Sequence, residues 1–193
     1  MQYAFQLLPH PNVRYQSALE KLGKAELQCM LLALDVFTEP RVESIGGTPF
    51  LTFECSALNE KALEQLSFLS SVYLWTRRDG EALIPLARPR ERYLPEEMAE
   101  VLKYKGKTNA AFTSLMLNLA RSQSAFFHEK RPLTVLDPLC GKGTTLYCAL
   151  AQGMHAVGLD RDRKDLKEAM DFVNRSLQNQ RIKHSLVQGS RSV

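Results

Sequence analysis

The pattern of hydrophobic and polar positions in residues 1–92 predicts short strands that alternate with helices. A two-residue period is typical of a half-buried strand, and a period of three to four residues is typical of an amphipathic helix. Strands are thus predicted at residues 3–8, 42–45, 49–55, 72–75 and 82–86, and helices at 13–34 and 59–69. Gly23 predicts a break in the first helix, and Gly46, Gly47 and Gly80 predict hairpin turns. These residues are therefore expected to form a small α+β domain of the ferredoxin-like type.

The pattern in residues 93–193 predicts strands that are each followed by a helix. Strands are predicted at 134–137, 155–159 and 182–188, with helices starting near Thr144 and spanning 163–180. A further helix, capped by Thr108 or Asn109 and ending near 122, would turn an apolar stripe toward the core. The stripe consists of Phe112, Leu115, Met116 and Leu119. Alternating strands and helices favour a second, α/β domain with a parallel sheet of three strands.

Composition favours a cytoplasmic protein. Of the 193 residues, 45% are hydrophobic and 24% are charged, and no apolar run reaches the length of a membrane span. The cysteines show no Cys-x-x-Cys spacing and follow no secretory leader, so reduced thiols are expected. They are Cys29, Cys55, Cys140 and Cys148. The four histidines lack paired spacing, which predicts no metal site.

Basic residues concentrate near the boundary between the two predicted domains. A net charge of +4 and a pI near 8.9 suit a polyanionic partner, although unrelated enzymes share such values. These side chains could pair with the phosphates of RNA or DNA, and solvated linker charge explains them equally well. The candidate nucleic-acid-binding residues are Arg77, Arg78, Arg88, Arg90, Arg92, Lys103, Lys105 and Lys107.

The most informative motif is a glycine loop after the strand predicted at 134–137. Residues 134–145 read Thr-Val-Leu-Asp-Pro-Leu-Cys-Gly-Lys-Gly-Thr-Thr, and the next strand leads into Asp160. Asp137 and Asp160 would thus stand at the ends of neighbouring parallel strands, 23 positions apart. This spacing fits the roughly 20 residues expected between a glycine turn and a ribose-binding acid. Free N–H groups at the start of the next helix would face a ligand.

Two other glycine-rich motifs resemble residues 134–145 and match them less well. A dinucleotide-binding fingerprint requires a third glycine where Leu146 stands, so it is incomplete. A phosphate-binding loop requires a glycine where Leu136 stands, and Ser or Thr directly after Lys142, so it is excluded. An ordinary connection between a strand and a helix is the remaining alternative.

Several segments together resemble the S-adenosylmethionine (SAM) dependent RNA methylases that modify the exocyclic amine of guanine in tRNA or ribosomal RNA. The loop at 134–145 and the strand that leads into Asp160 look like the SAM cradle, and residues 105–113 with Asn118-Leu-Ala resemble the preceding element. Pro49-Phe-Leu-Thr-Phe and Tyr73-Leu-Trp look like that group's N-terminal domain. The resemblance spans most of the chain and is specific around 134–161. It implies a partial Rossmann-like SAM-methyltransferase domain over 93–193, with RNA as partner.

The resemblance also assigns candidate cofactor-binding residues. Asp137 would face the ammonium group of SAM, and Asp160 would accept hydrogen bonds from the ribose hydroxyls. Thr108, Asn109 and Phe112 would line the far side of the cofactor. The full candidate set is Asp137, Pro138, Cys140, Gly141, Gly143, Thr144, Asp160, Arg161, Thr108, Asn109 and Phe112.

The sequence departs from this family in one motif. Family members carry an Asp/Asn-Pro-Pro-aromatic motif that holds the target amine, whereas the only Asp-Pro here is Asp137-Pro138 in the cofactor loop. No catalytic residue is therefore assigned, and the chain is expected to be the N-terminal part of a longer enzyme, inactive alone. A sheet of three strands would leave an apolar edge or face exposed. A further C-terminal segment or a strand-edge homodimer would cover it.

Two other functions fit the same residues. One is a non-catalytic module that binds RNA, SAM or a partner protein that completes the sheet. The other is a fragment of a DNA adenine or cytosine amino-methyltransferase, which the N-terminal domain argues against.

Overall fold

The computed structural model describes residues 1–87, 94–95, 98–101, 104 and 106–187. The strands are β1 (Gln2–Leu7), β2 (Arg41–Ile45), β3 (Thr48–Glu54), β4 (Val72–Asp79), β5 (Ala82–Pro85), β6 (Thr134–Asp137) and β7 (His155–Gly158). The helices are α1 (Val13–Ala33), α2 (Glu60–Leu66), α3 (Met98–Val101), α4 (Ala110–Ser122), α5 (Thr144–Ala151) and α6 (Arg163–Asn179). None of these described helices is both long enough and apolar enough to cross a membrane. The predicted mixture of helices and strands is confirmed.

The first five strands form one antiparallel sheet in the order β2-β3-β1-β4-β5. Helix α1 connects β1 to β2, and β3 lies between these two strands. Helix α2 connects β3 to β4, and β1 lies between them. Gly46 and Gly47, with φ of 59° and 79°, form the turn between β2 and β3. The sheet thus consists of two interleaved split β-α-β units, with β5 added at one edge.

Helices α1 and α2 pack on this sheet around an aromatic cluster. The Phe5 ring lies edge-on to Phe53, with centroids 5.2 Å apart, and 6.4 Å from the ring of Trp75. The indole Nε1 of Trp75 donates a hydrogen bond to the carbonyl of Leu66 at 3.0 Å, which ties β4 to the end of α2. Helix α1 adds Leu19, Leu27, Met30 and Leu31 to the same core. This burial holds both helices in place.

Gly23 does not break α1, contrary to the prediction, because the helix runs through it without interruption. A Cβ atom at Gly23 would lie 2.9 Å from Oγ of Ser71 and 3.0 Å from Cδ2 of Leu7. The glycine therefore lets the helix approach the sheet closely. Ser71 and Leu7 are distant along the chain, so the local pattern around Gly23 contains no sign of this role.

Replacing Gly23 with valine is expected to lower the free energy of unfolding by about 1–3 kcal/mol, because the side chain has no room. Ala25→Val on the exposed side of the same helix is the control, and should cost less than about 1 kcal/mol. Urea unfolding followed by circular dichroism measures both losses. Equal losses would show that close packing is not the reason for the glycine.

Strands β6 and β7 form a separate, parallel sheet of two strands. Helix α5 connects them, and the pairing runs from Thr134 opposite His155 to Asp137 opposite Gly158. The third strand predicted at 182–188 is wrong, because residues 182–187 form no strand. Residue 188 lies outside the described residues.

Local hydrogen bonds hold the chain after α6 against that helix instead. Arg181 has a φ of 56°, and the N–H of Ile182 donates to the carbonyl of Leu177 at 2.9 Å. The ring nitrogens of His184 lie 2.7 Å from the carbonyl of Ile182 and 2.9 Å from Oδ1 of Asn174. Such contacts between side chains and backbone compete with strand pairing. The alternating pattern of residues 182–188 is therefore not sufficient to add a strand to the sheet.

One face of the parallel sheet carries exposed apolar side chains. Leu136, Val157 and Leu159 are 60%, 46% and 56% exposed. Leu136 and Val157 are direct partners across the two strands, so they lie together on one face. Parallel sheets are normally covered on both faces. Among the described residues an apolar face is therefore exposed, as predicted, but on a sheet of two strands rather than three.

Helix α4 lies between α1, which packs on the five-stranded sheet, and α5, which connects the two strands of the parallel sheet. Leu115 is buried as predicted, but Phe112 and Met116 are 37% and 50% exposed, so the predicted core stripe is partly wrong. The helix instead turns Asn118 inward, where its Nδ2 donates to Oε1 of Glu26 on α1 at 2.6 Å. A buried polar contact therefore sets the rotation of α4. The domain boundary predicted after residue 92 lies outside the described residues.

Candidate functional site

The candidate site lies where β6 and β7 end side by side. The N–H of Leu159 donates to the carbonyl of Asp137 at 2.9 Å, and the N–H of Cys140 donates to the carbonyl of Leu159 at 3.0 Å. These bonds extend the pairing of the strands into the loop after β6. Asp137 and Asp160 therefore stand at adjacent strand ends, where ligands bind in open parallel sheets.

The loop between β6 and α5 turns on two glycines with left-handed backbone conformations. The φ angle is 49° at Gly141 and 87° at Gly143, values that residues with a Cβ atom rarely adopt. The N–H of Gly143 donates to the carbonyl of Cys140 at 2.8 Å and closes a tight turn. Helix α5 then begins at Thr144 without a side-chain cap. The N–H groups of its first turn are therefore directed toward the loop.

The carboxylate of Asp160 binds the glycine loop itself. The N–H of Gly141 donates to Oδ2 at 2.7 Å, and the N–H of Asp162 donates to Oδ1 at 2.8 Å. These donors, Asp162 first, lower the pKa of Asp160. The group is thus ionised at neutral pH, and its remaining lone pairs can accept hydrogen bonds from hydroxyl groups. Pro138 and Arg161, also expected in the site, are exposed beside it.

Asp137 and Cys140 lie in the same loop. Oδ1 of Asp137 accepts a hydrogen bond from the N–H of Leu139 at 3.1 Å. Burial raises the pKa of the Cys140 thiol, and the charges of Asp137 and Asp160 raise it further. Cys140 is therefore a neutral thiol at neutral pH and a poor nucleophile. The site offers two carboxylates and several backbone N–H donors, which suits a cationic ligand with hydroxyl groups.

Lys142, between the two glycines, reaches helix α6. Its Nζ forms an ion pair with Glu168 and lies 3.7 Å from Oδ1 of Asp165. The ammonium group also lies 5.4 Å from the ring centroid of Tyr104. The hydroxyl of Tyr104 is 3.0 Å from Oγ1 of Thr144. These contacts tie the glycine loop to α6 and the start of α5 to the segment before α4.

The residues expected on the far side of the cofactor lie at the start of α4. Oδ1 of Asn109 caps this helix by accepting a hydrogen bond from the N–H of Phe112 at 3.1 Å. Nδ2 of Asn109 lies 3.2 Å from Nε2 of His10, in the loop between β1 and α1. Thr108 is exposed. Helix α4 packs against α5, the helix that follows the glycine loop. These residues therefore lie on the helix next to α5.

The candidate nucleic-acid-binding residues that the structure describes do not form one surface. Arg77 and Arg78 are successive residues of β4, so their side chains face opposite sides of the sheet. Arg78 pairs with Glu43 at 2.8 Å, and Lys107 pairs with Glu100 at 3.7 Å. Five candidates lie outside the described residues, namely Arg88, Arg90, Arg92, Lys103 and Lys105.

Three residues that contact this site, Lys142, Tyr104 and His10, are not among the candidates predicted from the sequence. Lys142 had a readable signal, because a lysine between two glycines is followed by acids one helical turn apart at 165 and 168. Tyr104 and His10 belong to no motif, and they reach Thr144 and Asn109 only through the tertiary fold. Only the positions of the neighbouring elements could have identified them.

Comparisons with protein-family models, curated proteins and solved structures found no match for this chain. The geometry of residues 134–168 is therefore the basis for assigning a function.

Proposed function

We propose that residues 93–193 form the SAM-binding part of a Rossmann-like methyltransferase domain that serves methylation of an exocyclic base amine in RNA. The observation that carries this proposal is the hydrogen bond of 2.7 Å from the N–H of Gly141 to the carboxylate of Asp160. It joins the glycine turn after one parallel strand to the acid after the next. A SAM cradle requires these two features to lie together.

The groups at the site match those of SAM. Asp137 would pair with the ammonium group, and Asp160 would accept hydrogen bonds from the ribose hydroxyls. The N–H groups at the start of α5 would face the carboxylate of the methionine moiety. Gly141 leaves the approach to the backbone open, because no other atom lies within 4 Å of the place where a Cβ atom would stand. When bound, SAM supplies a methyl group on a positively charged sulfur, which is a good leaving group.

The proposed substrate is an exocyclic amine of a base, with guanine N2 of tRNA or ribosomal RNA favoured. Such a base must be unpaired or flipped out of its helix to reach the methyl group. The five-stranded sheet, which we assign to the ferredoxin-like fold, precedes the cofactor loop and would contact the RNA. A DNA amino-methyltransferase would differ in substrate only. The 193 residues contain no Asp/Asn-Pro-Pro-aromatic motif, and we assign them cofactor binding rather than methyl transfer.

Calorimetric titration with SAM tests this proposal on the 193-residue chain. The parent protein is expected to bind SAM, and Asp160→Ala is expected to lose about 1–3 kcal/mol of binding free energy. The loss combines the missing acceptor for the ribose with the release of the Gly141 N–H. Asp171→Ala on the exposed side of α6 is the matched control and should bind as the parent does.

A parent protein that is folded by circular dichroism and yet fails to bind SAM would contradict the proposal. Equal binding by the parent and Asp160→Ala would contradict the role of this carboxylate.

The exposed face of β6 and β7 favours a second candidate function, that of a module whose parallel sheet a partner polypeptide completes. Leu136, Val157 and Leu159 are each about half exposed there, although such a face is normally covered. In such a module the glycine loop would have the shape of a SAM cradle but would not bind SAM. A folded parent that does not bind SAM would favour this candidate.

A further inference from the structure

Lys142 has surroundings unlike those of an ordinary surface lysine. It lies between Gly141 and Gly143 in the loop, yet only 18% of its side chain is exposed. Its Nζ forms an ion pair with Glu168 on α6 and lies 3.7 Å from Oδ1 of Asp165, one turn earlier on that helix. Two carboxylates therefore flank the charge.

An aromatic ring also contacts this cation. The ring centroid of Tyr104 lies 5.4 Å from Nζ of Lys142, within the range of a cation–π contact. The hydroxyl of Tyr104 is 3.0 Å from Oγ1 of Thr144, the first residue of α5. One lysine thus contacts both α6 and the segment before α4, and its neighbour Gly141 binds Asp160.

We propose that Lys142 is a positioning residue that fixes the glycine loop in the conformation that binds SAM, an inference that rests on the proposed function. Glycines with positive φ can adopt many other conformations, so ordering such a loop upon binding costs conformational entropy. Lys142 orders the loop before the ligand arrives. The loop then has two adjacent attachments, the Gly141 N–H on Asp160 and the Lys142 side chain on α6.

The charges around Lys142 favour positioning over direct contact with the ligand. The hydrogen bond with Glu168 raises the pKa of Lys142 and lowers the pKa of Glu168, so both are charged at neutral pH. Asp165 adds a second negative charge at 3.7 Å. The two carboxylates balance the positive charge of Lys142, so this charge does not oppose a cationic ligand at Asp137 and Asp160.

Calorimetric titration of the full chain with SAM tests the inference. Lys142→Met is expected to weaken binding about tenfold, since the loop must then be ordered upon binding. Lys142→Arg retains the charge and should stay within about twofold of the parent. Glu168→Gln leaves Asp165 in place, so about a threefold loss is expected, with no further loss when it is combined with Lys142→Met. Lys167→Met, exposed on the same helix, is the matched control.

Thermal unfolding of each variant separates a folding defect from a binding defect. Equal SAM affinity in the parent and Lys142→Met would overturn the inference, as would fully additive losses in the double variant. A loss in Lys142→Arg as large as in Lys142→Met would also overturn it. If Lys142→Met does not fold, unchanged affinity in Glu168→Gln overturns it instead. A folded parent that does not bind SAM overturns the proposed function, and this inference with it.

Discussion

Replacement of Glu26 by alanine is expected to lower the free energy of unfolding by about 3–5 kcal/mol. Glu26 is a charged residue, yet its side chain is 0% exposed, because it lies where α1 packs against α4. Its carboxylate accepts hydrogen bonds from Nδ2 of Asn118 at 2.6 Å, from the N–H of Ser70 at 3.0 Å and from Oγ of Ser70 at 2.8 Å. Alanine would remove the acceptor of the two Ser70 donors, leave Nδ2 of Asn118 only the carbonyl of Phe68, and open a cavity. Both effects destabilise the folded state.

The same carboxylate predicts how stability depends on pH. Burial raises the pKa of Glu26, and the hydrogen bonds from Asn118 and Ser70 oppose part of this rise. The native protein therefore holds the proton more tightly than the unfolded chain does. Stability should fall as pH rises from the pKa of an unfolded glutamate to the raised pKa of the native one. Glu26→Gln has no carboxyl group to titrate at this position. The free energy of unfolding of this variant should therefore fall less with rising pH than that of the parent.

Guanidinium unfolding of the parent and both variants at about pH 5 and about pH 8 measures these effects. Glu20→Ala, exposed on the same helix, is the control, and should change stability by less than about 0.5 kcal/mol. If Glu26→Ala loses no more than this control, the buried contact does not stabilise the packing of α1 against α4. If Glu26→Gln keeps the full pH slope of the parent, another group causes it.

Gly158→Val is expected to destabilise the protein by about 3 kcal/mol and to abolish the proposed SAM binding. A Cβ atom at Gly158 would lie 2.6 Å from Cδ1 of Leu146, 2.8 Å from Sγ of Cys140 and 3.1 Å from Cβ of Cys140. Cys140 cannot retreat easily, because its N–H is bonded to the carbonyl of Leu159 at 3.0 Å. The valine must therefore displace the glycine loop.

Urea unfolding and SAM titration of Gly158→Val measure the two effects separately. Ala156→Val is the matched control, since Ala156 lies on the same face of β7, lines the same groove as Gly158 and already has a Cβ atom. It should lose less than about 1 kcal/mol of stability and keep its affinity for SAM. A similar loss in both variants would show that the contact between Gly158 and Cys140 has no special role.

Elements whose signals are local were predicted well from the sequence. The cap of α4 is an example, because Oδ1 of Asn109, one of the two predicted cap residues, accepts a hydrogen bond from the N–H of Phe112 at 3.1 Å. A cap depends on residues three positions apart, which the sequence displays directly. The glycine loop was located for the same reason, since its turn and the following helix are contiguous.

Features that depend on distant partners could not be predicted. The role of Gly23 requires Ser71 and Leu7, and the rotation of α4 requires the buried pair of Asn118 and Glu26. No periodicity within one helix encodes a contact made by another. The prediction of a third strand at 182–188 was wrong for a related reason. Alternating apolar and polar residues indicate which face would be buried, but they do not supply a neighbouring strand to pair with.

The place of α4 between α1 and α5 also has a consequence for any long substrate. Asn118 anchors this helix to α1, and Sγ of Cys148 on α5 donates to the carbonyl of Ala110 at its start. The five-stranded sheet and the glycine loop are thus held at one separation. If the sheet binds RNA as proposed, only a nucleotide at a set distance from the bound part would reach the loop. A target would then be favoured by its distance along the strand from the bound part.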